Sequence, residues 1–149
     1  MPPLGVLVDL GPGQLPGPVL LNGLYVSLEP LRAATHGEGI WEALGRPEQR
    51  YLWHYMREMQ PGSWPEFQSR MEARESSRDP LFFMISEAGS GRVMGTVALM
   101  RIDAANRVIE VGHVQYGEQL QRSRGATEVQ YLLMKYVFEE LGYRRHEWK

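Results

Sequence analysis

The chain has 149 residues, a formal net charge of −2 and no cysteine. This length predicts a single domain with a substantial core, and the charge argues against bulk attraction to nucleic acid or to a membrane surface. The lack of cysteine excludes disulfides, thiolate catalysis and cysteine-based zinc sites. The four histidines, at positions 36, 54, 113 and 146, lack the spacing of metal ligands, so we expect no metal.

Residues 1–18 form an arm in which prolines and glycines interrupt the apolar residues. We expect the arm to be extended along the surface, and a short strand at Gly5–Leu10 is one option. The arm lacks the basic stretch and the continuous apolar run of a signal peptide. No segment reaches the length needed to cross a bilayer, so a cytoplasmic protein is expected.

The segment 19–31 predicts a β-hairpin with a two-residue turn at Asn22-Gly23. The next fifty residues predict helices. One ends at Gly45, and another begins near Pro47 with an apolar face. A third is capped by Ser63, with Glu66 at the spacing of a capping box. The apolar face of the second helix comprises Tyr51, Leu52, Tyr55, Met56 and Met59.

Residues 81–116 change to a strand-like pattern. "LFFMISEA", "VMGTVALMRI" and "VIEVGHVQY" are separated by turn residues at 89–92 and 103–107, which predicts an antiparallel meander. An amphipathic helix follows, ending at Gly142, and "YRRHEWK" predicts a last strand. Because a helix crosses between them, this strand should lie parallel to the third meander strand. The predicted fold class is therefore α/β (α+β) with a mixed central sheet.

The stretch "QRSRGATE" lies where the long helix begins. Unpaired N–H groups, the positive end of the helix dipole and two arginines together suit a phosphate group. Gly125 would permit close backbone approach and an unusual φ. Taken alone, a solvated surface turn explains this stretch equally well. The residues predicted to bind phosphate are Arg122, Ser123, Arg124, Gly125, Ala126 and Thr127.

This order of elements resembles the GNAT family of acyl-CoA-dependent N-acyltransferases. The run from Arg122 to Thr127 is similar to the family pattern Gln/Arg-x-x-Gly-x-Gly/Ala, with Thr127 in place of the final small residue. Residues 19–149 look most like the RimJ/RimL-type branch, which acetylates protein N-termini or small amines. The resemblance implies a GNAT acetyltransferase domain over 19–149, acetyl-CoA as co-substrate and an amine acceptor.

The resemblance also implies how the donor lies in the fold. The third meander strand and the last strand splay apart, and the pantetheine arm bonds to backbone at Val114, Gln115 and Tyr116. From the residues themselves, Gly112 in the third strand predicts a β-bulge. A packing glycine is the alternative at that position.

Three residues of the third meander strand are candidates for proton transfer. Glu110 is the first candidate for the base, because strand alternation places it on one face with Gly112 and Val114. Its alternative role is an ion pair with Arg101 or Arg107. His113 has a suitable intrinsic pKa, but alternation places it on the opposite face, where a core role is the stronger expectation. Tyr116 is the third candidate, as a proton donor to the leaving thiolate.

Family members resembling this chain continue after the final strand, whereas this sequence ends at "HEWK". The exposed sheet edge would invite a homodimer or completion by another chain. A second hypothesis is therefore a catalytically idle acyl-CoA-binding or interaction module with the same fold. A nucleic-acid surface is disfavoured by the net charge.

Overall fold

The computed structural model describes residues 1–7 and 9–149. Its centre is one mixed sheet with the strand order β1-β2-β3-β4-β5-β6. Neighbouring strands from β1 to β5 are antiparallel, and β6 is parallel to β5. The predicted meander, crossover and parallel last strand are confirmed. The strands are β1 Leu21–Asn22, β2 Val26–Pro30, β3 Leu81–Glu87, β4 Val93–Asp103, β5 Val108–Tyr116 and β6 Arg145–Trp148.

Helices cover both faces of the sheet and divide the core in two. α1 and α2 bury apolar residues against Phe82, Met84 and Ala98 of β3 and β4. α3 buries its stripe against the opposite face, beside Ile109 and Val111 of β5. No helix in the described ranges is long and apolar enough to cross a membrane. The helices are α1 Ala33–Ile40 with a π-helical extension Trp41–Gly45, a 3-10 helix Pro47–Trp53, α2 Trp64–Ser76, and α3 Arg124–Lys135 with a π-helical extension Tyr136–Glu140.

The helix predicted from Pro47 to Met59 is wrong in length and in its buried face. Only Pro47–Trp53 is helical, as a 3-10 helix, and the predicted apolar residues Tyr55 and Met59 are exposed. Trp53 is buried instead, and its Nε1 donates to the carbonyl oxygen of Leu44 at 2.7 Å. Leu52 and Met56 of the predicted face pack in part against the α1–α2 core, but burial of the large Trp53 ring with a satisfied N–H decides the local conformation.

The predicted two-residue turn at Asn22-Gly23 is also wrong. Asn22 pairs with Ser27, so the loop holds four residues, and the Gly23 N–H donates to the Val26 carbonyl at 2.8 Å. The amides of Leu24, Tyr25 and Val26 point instead to a carboxylate of α3. A long-range charge-assisted contact thus overrides the local turn signal.

The N-terminal arm is fastened to the β4–β5 turn and to the end of α3. The Gly13 N–H donates to the Ala104 carbonyl and the Gln14 N–H to the Leu141 carbonyl, each at 2.9 Å. Arg107 Nε donates to the Gly11 carbonyl at 2.6 Å. The optional strand at Gly5–Leu10 does not form in residues 5–7 and 9–10, and Val8 lies outside the described residues.

Candidate functional site

A β-bulge interrupts β5 directly after Gly112. Thr96 pairs with Gln115 and Ala98 with Gly112, so the single residue Val97 lies opposite both His113 and Val114. The bulge predicted from Gly112 is confirmed. Its left-handed residue is His113, with φ 46°, rather than Gly112. A left-handed conformation is costly for a side chain of this kind, by about 1–2 kcal/mol.

The bulge changes which side chains share a face of the sheet. His113 packs on Phe82, in the α1–α2 core, whereas Val114 and Tyr116 pack in the α3 core. The prediction that Val114 shares the face of Glu110 and that His113 opposes it is therefore wrong. Simple alternation fails because one additional residue inverts every side chain that follows it.

Glu110 lies on the α1–α2 face, between the α3-facing residues Ile109 and Val111, and only 7% of it is exposed. Its Oε2 is 3.3 Å from Arg101 Nη1 and 3.2 Å from Lys149 Nζ. The ion-pair alternative is thus observed with Arg101, while Arg107 binds the N-terminal arm instead. The Glu110 carboxylate is thus engaged by two cations of the α1–α2 face.

His113 is half-buried and packs against an aromatic ring. Its ring centroid lies 5.0 Å from that of Phe82. Burial lowers the pKa of His113 below its ordinary value, and the charges of Arg74 and Arg57 lower it further, while Glu58 acts in the opposite direction. The imidazole is therefore neutral near pH 7 and able to accept a proton.

The groups facing His113 form an ion-pair network on α2 and the preceding loop. Arg74 is 5% exposed, lies over the Phe82 ring at 4.9 Å, and donates through Nη2 to Glu58 Oε2 at 3.1 Å. Glu58 also lies 3.4 Å from Arg70 Nη1. Burial is the largest cause that lowers the pKa of Arg74, and Glu58 opposes it. One carboxylate thus compensates a buried guanidinium beside the histidine.

The end of β5 holds the other two predicted residues. Tyr116 lies on the α3 side, where its hydroxyl oxygen accepts from Gln130 Nε2 at 2.8 Å, and burial raises the pKa of its phenol. Gln115 and Thr96 are directly opposite each other on the α1–α2 side. The Gln115 amide and the Thr96 hydroxyl are buried, and neither has a partner among the described residues. Buried polar groups of this kind are usually satisfied, so an ordered water or a polar ligand would complete their hydrogen bonding.

The start of α3 offers three free amides. Ser123 is the N-cap, and its amide and those of Ala126 and Thr127 donate to acceptors within this turn. The amides of Arg122, Arg124 and Gly125 have no acceptor in the part of the chain described. The unusual φ predicted for Gly125 belongs to Arg122, at 55°. Gly125 is needed for packing, because a Cβ there would lie 2.9 Å from Val26 Cγ1.

Ser123→Ala is expected to lower the free energy of unfolding by about 1 kcal/mol, the usual value for losing an N-cap. Ser123 Oγ accepts from the Ala126 N–H at 3.2 Å and donates to the Leu120 carbonyl at 2.6 Å, so both bonds are lost. Urea denaturation measures the change. Ser76→Ala is the control, because the exposed Ser76 hydroxyl only donates to a carbonyl of its own helix, and a change below about 0.5 kcal/mol is expected. Equal stability losses in the two variants would contradict the capping role.

Sequence reasoning missed three residues around the site. Glu58 and Arg74 gave no local signal, because their pairing joins a loop to a helix sixteen residues away. Glu128 gave no local signal either, because its hydrogen-bond partners lie about one hundred residues earlier in the chain. In the described ranges, no group of three or more histidine, aspartate or glutamate side chains could hold a metal ion.

Comparison with solved structures gives the same architecture. A GCN5-related N-acetyltransferase from Brucella melitensis is 41% identical with a TM-score of 0.88, covering 93% of this chain and 62% of that one. A probable GNAT-family acetyltransferase from Chromobacterium violaceum is 27% identical with a TM-score of 0.86, covering 99% and 73%. A spermidine N-acetyltransferase chimera from Vibrio cholerae and hSSAT is 17% identical with a TM-score of 0.62, covering 83% and 69%.

These similarities establish the GNAT fold for this chain, and its structural neighbours are GNAT acetyltransferases. The chain spans about 62% of the length of the Brucella structure. No protein-family model matches the chain. No curated protein matches it. The RimJ/RimL-type branch stays a prediction.

Proposed function

We propose that this protein transfers an acetyl group from acetyl-CoA to a primary amine, either a protein N-terminus or a small amine. One observation carries the proposal. The bulge in β5 directs a half-buried, neutral His113 to the α1–α2 face, and the same strand leads into an α3 N-terminus with three free amides. The proposed base and the proposed anion site thus belong to one continuous segment, which runs from β5 to the start of α3.

The residues present fit the donor. The free amides of Arg122, Arg124 and Gly125, at the positive end of the α3 dipole, would bind the diphosphate. The exposed guanidinium groups of Arg122 and Arg124 would add charge-assisted bonds. The backbone of Val114, Gln115 and Tyr116 would bind the pantetheine arm, and the unpartnered Gln115 amide lies beside that path. The amides of Ser123, Ala126 and Thr127 serve the helix cap.

Acetyl-CoA supplies a thioester carbonyl that a neutral amine can attack, forming the amide bond and releasing CoA as a thiol. His113 accepts the proton that the amine loses, at a ring nitrogen of its imidazole. Burial, together with Arg74 and Arg57, lowers the pKa of His113 and so favours the neutral imidazole before the reaction, while Glu58 opposes them. Glu110 forms ion pairs with Arg101 and Lys149 and so partly neutralises their positive charge on the α1–α2 face. Tyr116 keeps its hydroxyl hydrogen free, since the oxygen accepts from Gln130, and is the candidate donor to the leaving thiolate.

The test is release of thiol from acetyl-CoA in the presence of a panel of primary amines and of peptides with free N-termini. Because the protein has no cysteine, a thiol-reactive dye reads released CoA without any signal from the enzyme. We expect acceptor-dependent release, and mass spectrometry should show an acceptor heavier by one acetyl group. Calorimetry with CoA measures donor binding separately. If CoA binds but none of the acceptors is acetylated, the idle acyl-CoA-binding module is favoured. If CoA does not bind at millimolar concentration, both the acetyltransferase and the idle module are rejected.

A further inference from the structure

A carboxylate of α3 is bound by three consecutive backbone amides of the β1–β2 loop. Glu128 Oε1 accepts from the Leu24 N–H at 2.8 Å, and Oε2 accepts from the Tyr25 and Val26 N–H groups at 2.7 and 2.9 Å. Hydrogen bonds to a charged acceptor are about twice as strong as neutral ones. These three bonds join segments about one hundred residues apart, which neither segment could hold alone.

Two glycines allow the helix and the loop to come this close. A Cβ on Gly23 would overlap the Glu128 carboxylate and lie 2.8 Å from Oε1. A Cβ on Gly125 would lie 2.9 Å from Val26 Cγ1 and 3.1 Å from Leu120 Cδ1. Neither glycine has a left-handed φ, so their role here is space. The Glu128 clamp, defined as this carboxylate with the amides of Leu24–Val26, therefore requires a loop without a side chain at position 23.

The loop residues of the clamp, Leu24–Val26, line one side of an open cavity of about 430 Å³ at the start of α3. The loop residues Leu24 and Tyr25 face Ser123, Arg124 and Gly125 across it. Arg124 Nη1 lies 3.5 Å from the Tyr25 hydroxyl. The amides of Arg124 and Gly125, which have no acceptor among the described residues, belong to this wall. Loop and helix thus offer an aromatic ring, a guanidinium and backbone donors to one bound group.

We propose that Glu128 is a positioning residue that builds the nucleotide end of the donor site, by holding the β1–β2 loop against the start of α3. This inference rests on the proposed function, because it takes CoA as the ligand. Its new content is the role of the clamp. Without the clamp, Tyr25 and Leu24 would no longer be fixed opposite Arg124, and the cavity would lose one wall.

The clamp also removes an electrostatic conflict. A bare carboxylate within the first two turns of α3 would repel a phosphate at the helix N-terminus. Burial raises the pKa of Glu128, but the N–H groups of Leu24, Tyr25 and Val26 lower it by more, so the carboxylate is charged at neutral pH. Three N–H dipoles directed at that charge reduce the field it exerts on a neighbouring phosphate.

The test is binding of CoA and of pantetheine, which lacks the nucleotide and the diphosphate, measured by calorimetry. In Glu128→Ala and in Gly23→Ala, we expect the Kd for CoA to rise about tenfold and the Kd for pantetheine to stay within about twofold. The first variant deletes the carboxylate, and the second displaces it while keeping the charge. Glu139→Ala is the matched control, an exposed glutamate near the C-terminal end of the same helical segment, and should bind CoA as the wild type does.

Amide hydrogen exchange shows whether the clamp has opened in each variant. Exchange at Leu24–Val26 should accelerate in both variants while the core strands stay protected, which shows that the clamp opened in a folded protein. Unchanged CoA affinity with an opened clamp overturns the proposal, and so does an equal loss for CoA and pantetheine. If the wild type itself fails to bind CoA, the proposed function fails as well. Wild-type binding with unaffected variants rejects only the clamp.

Discussion

His113→Asn is expected to lower kcat by about 10²- to 10⁴-fold, the usual contribution of a positioned general base. Asparagine cannot accept the proton, but it is among the residues that best tolerate a left-handed φ. The bulge should therefore survive, and the unfolding free energy should change by less than about 1 kcal/mol. Thiol release from acetyl-CoA with the best acceptor measures kcat, and urea denaturation checks the fold.

Glu110→Gln is the matched comparison for that prediction. It lies three residues earlier on β5 and was the first candidate for the base, but its carboxylate is held by Arg101 and Lys149. We expect its kcat to fall by less than about tenfold. If Glu110→Gln loses more activity than His113→Asn, the assignment of the base must be reversed.

The pH dependence of the reaction follows from the environment of His113. Burial, Arg74 and Arg57 lower its pKa, and Glu58 raises it. Activity should therefore persist to a pH below the ordinary histidine value of about 6.5 and then fall as the imidazole is protonated. Arg74→Met removes a lowering charge, so the acidic limb of kcat/KM should move to higher pH. An unmoved limb would show that the titrating group is not His113.

The lowered pKa of His113 also predicts how the free energy of unfolding changes with pH. Since the folded protein binds a proton at His113 less readily than the unfolded chain, the unfolded state takes up more protons as the pH falls below about 6.5. His113 therefore contributes a loss of stability on acidification, which His113→Asn should remove.

Glu58→Ala is expected to lower the free energy of unfolding by about 2 kcal/mol, because it leaves the buried Arg74 guanidinium without its carboxylate. Arg70 also loses a partner, although it keeps Glu66 at 3.3 Å. Chemical denaturation measures the change. The double variant Glu58→Ala/Arg74→Met should recover most of the loss, since an apolar side chain of similar size needs no compensating charge.

Glu48→Ala is the control for this prediction. Glu48 also pairs with an arginine, at 3.9 Å from Arg46 Nη1, but both side chains are largely exposed. Exposed ion pairs contribute little, so a change below about 0.5 kcal/mol is expected. Equal destabilisation in the Glu48 and Glu58 variants would contradict the special role of the buried arginine.

The sequence predicted the elements that depend on local periodicity. β3, β4, β5 and α3 lie where their patterns place them, and Gly142, with φ 72°, ends the last helical segment. Ser63 and Ser123 act as N-caps, the first predicted and the second within the predicted phosphate stretch. Alternation, helical stripes and capping residues are properties of short segments, so a single sequence suffices to find them.

The candidate site depended on contacts between distant segments. Gly112 indicated a bulge, but the side that each later residue faces was set by which residue became the extra one, and His113 took that place. The Asn22-Gly23 turn signal was overridden by Glu128, and Glu58 found Arg74 only across a helix–loop contact. The residue pattern of one segment does not indicate which distant segment it will contact.

The sequence by itself thus determined the order of the main strands and helices, the parallel last strand and the start of α3, where the anion site is proposed. Only the tertiary structure decided that His113 joins Glu110 on the α1–α2 face, that Arg101 and Lys149 pair with Glu110, and that Glu128 holds the β1–β2 loop. The physical reason is the distance along the sequence over which each kind of interaction acts. Helical hydrogen bonding and side-chain periodicity act over a few residues, whereas burial and charge compensation are fixed when segments sixteen to about one hundred residues apart come together.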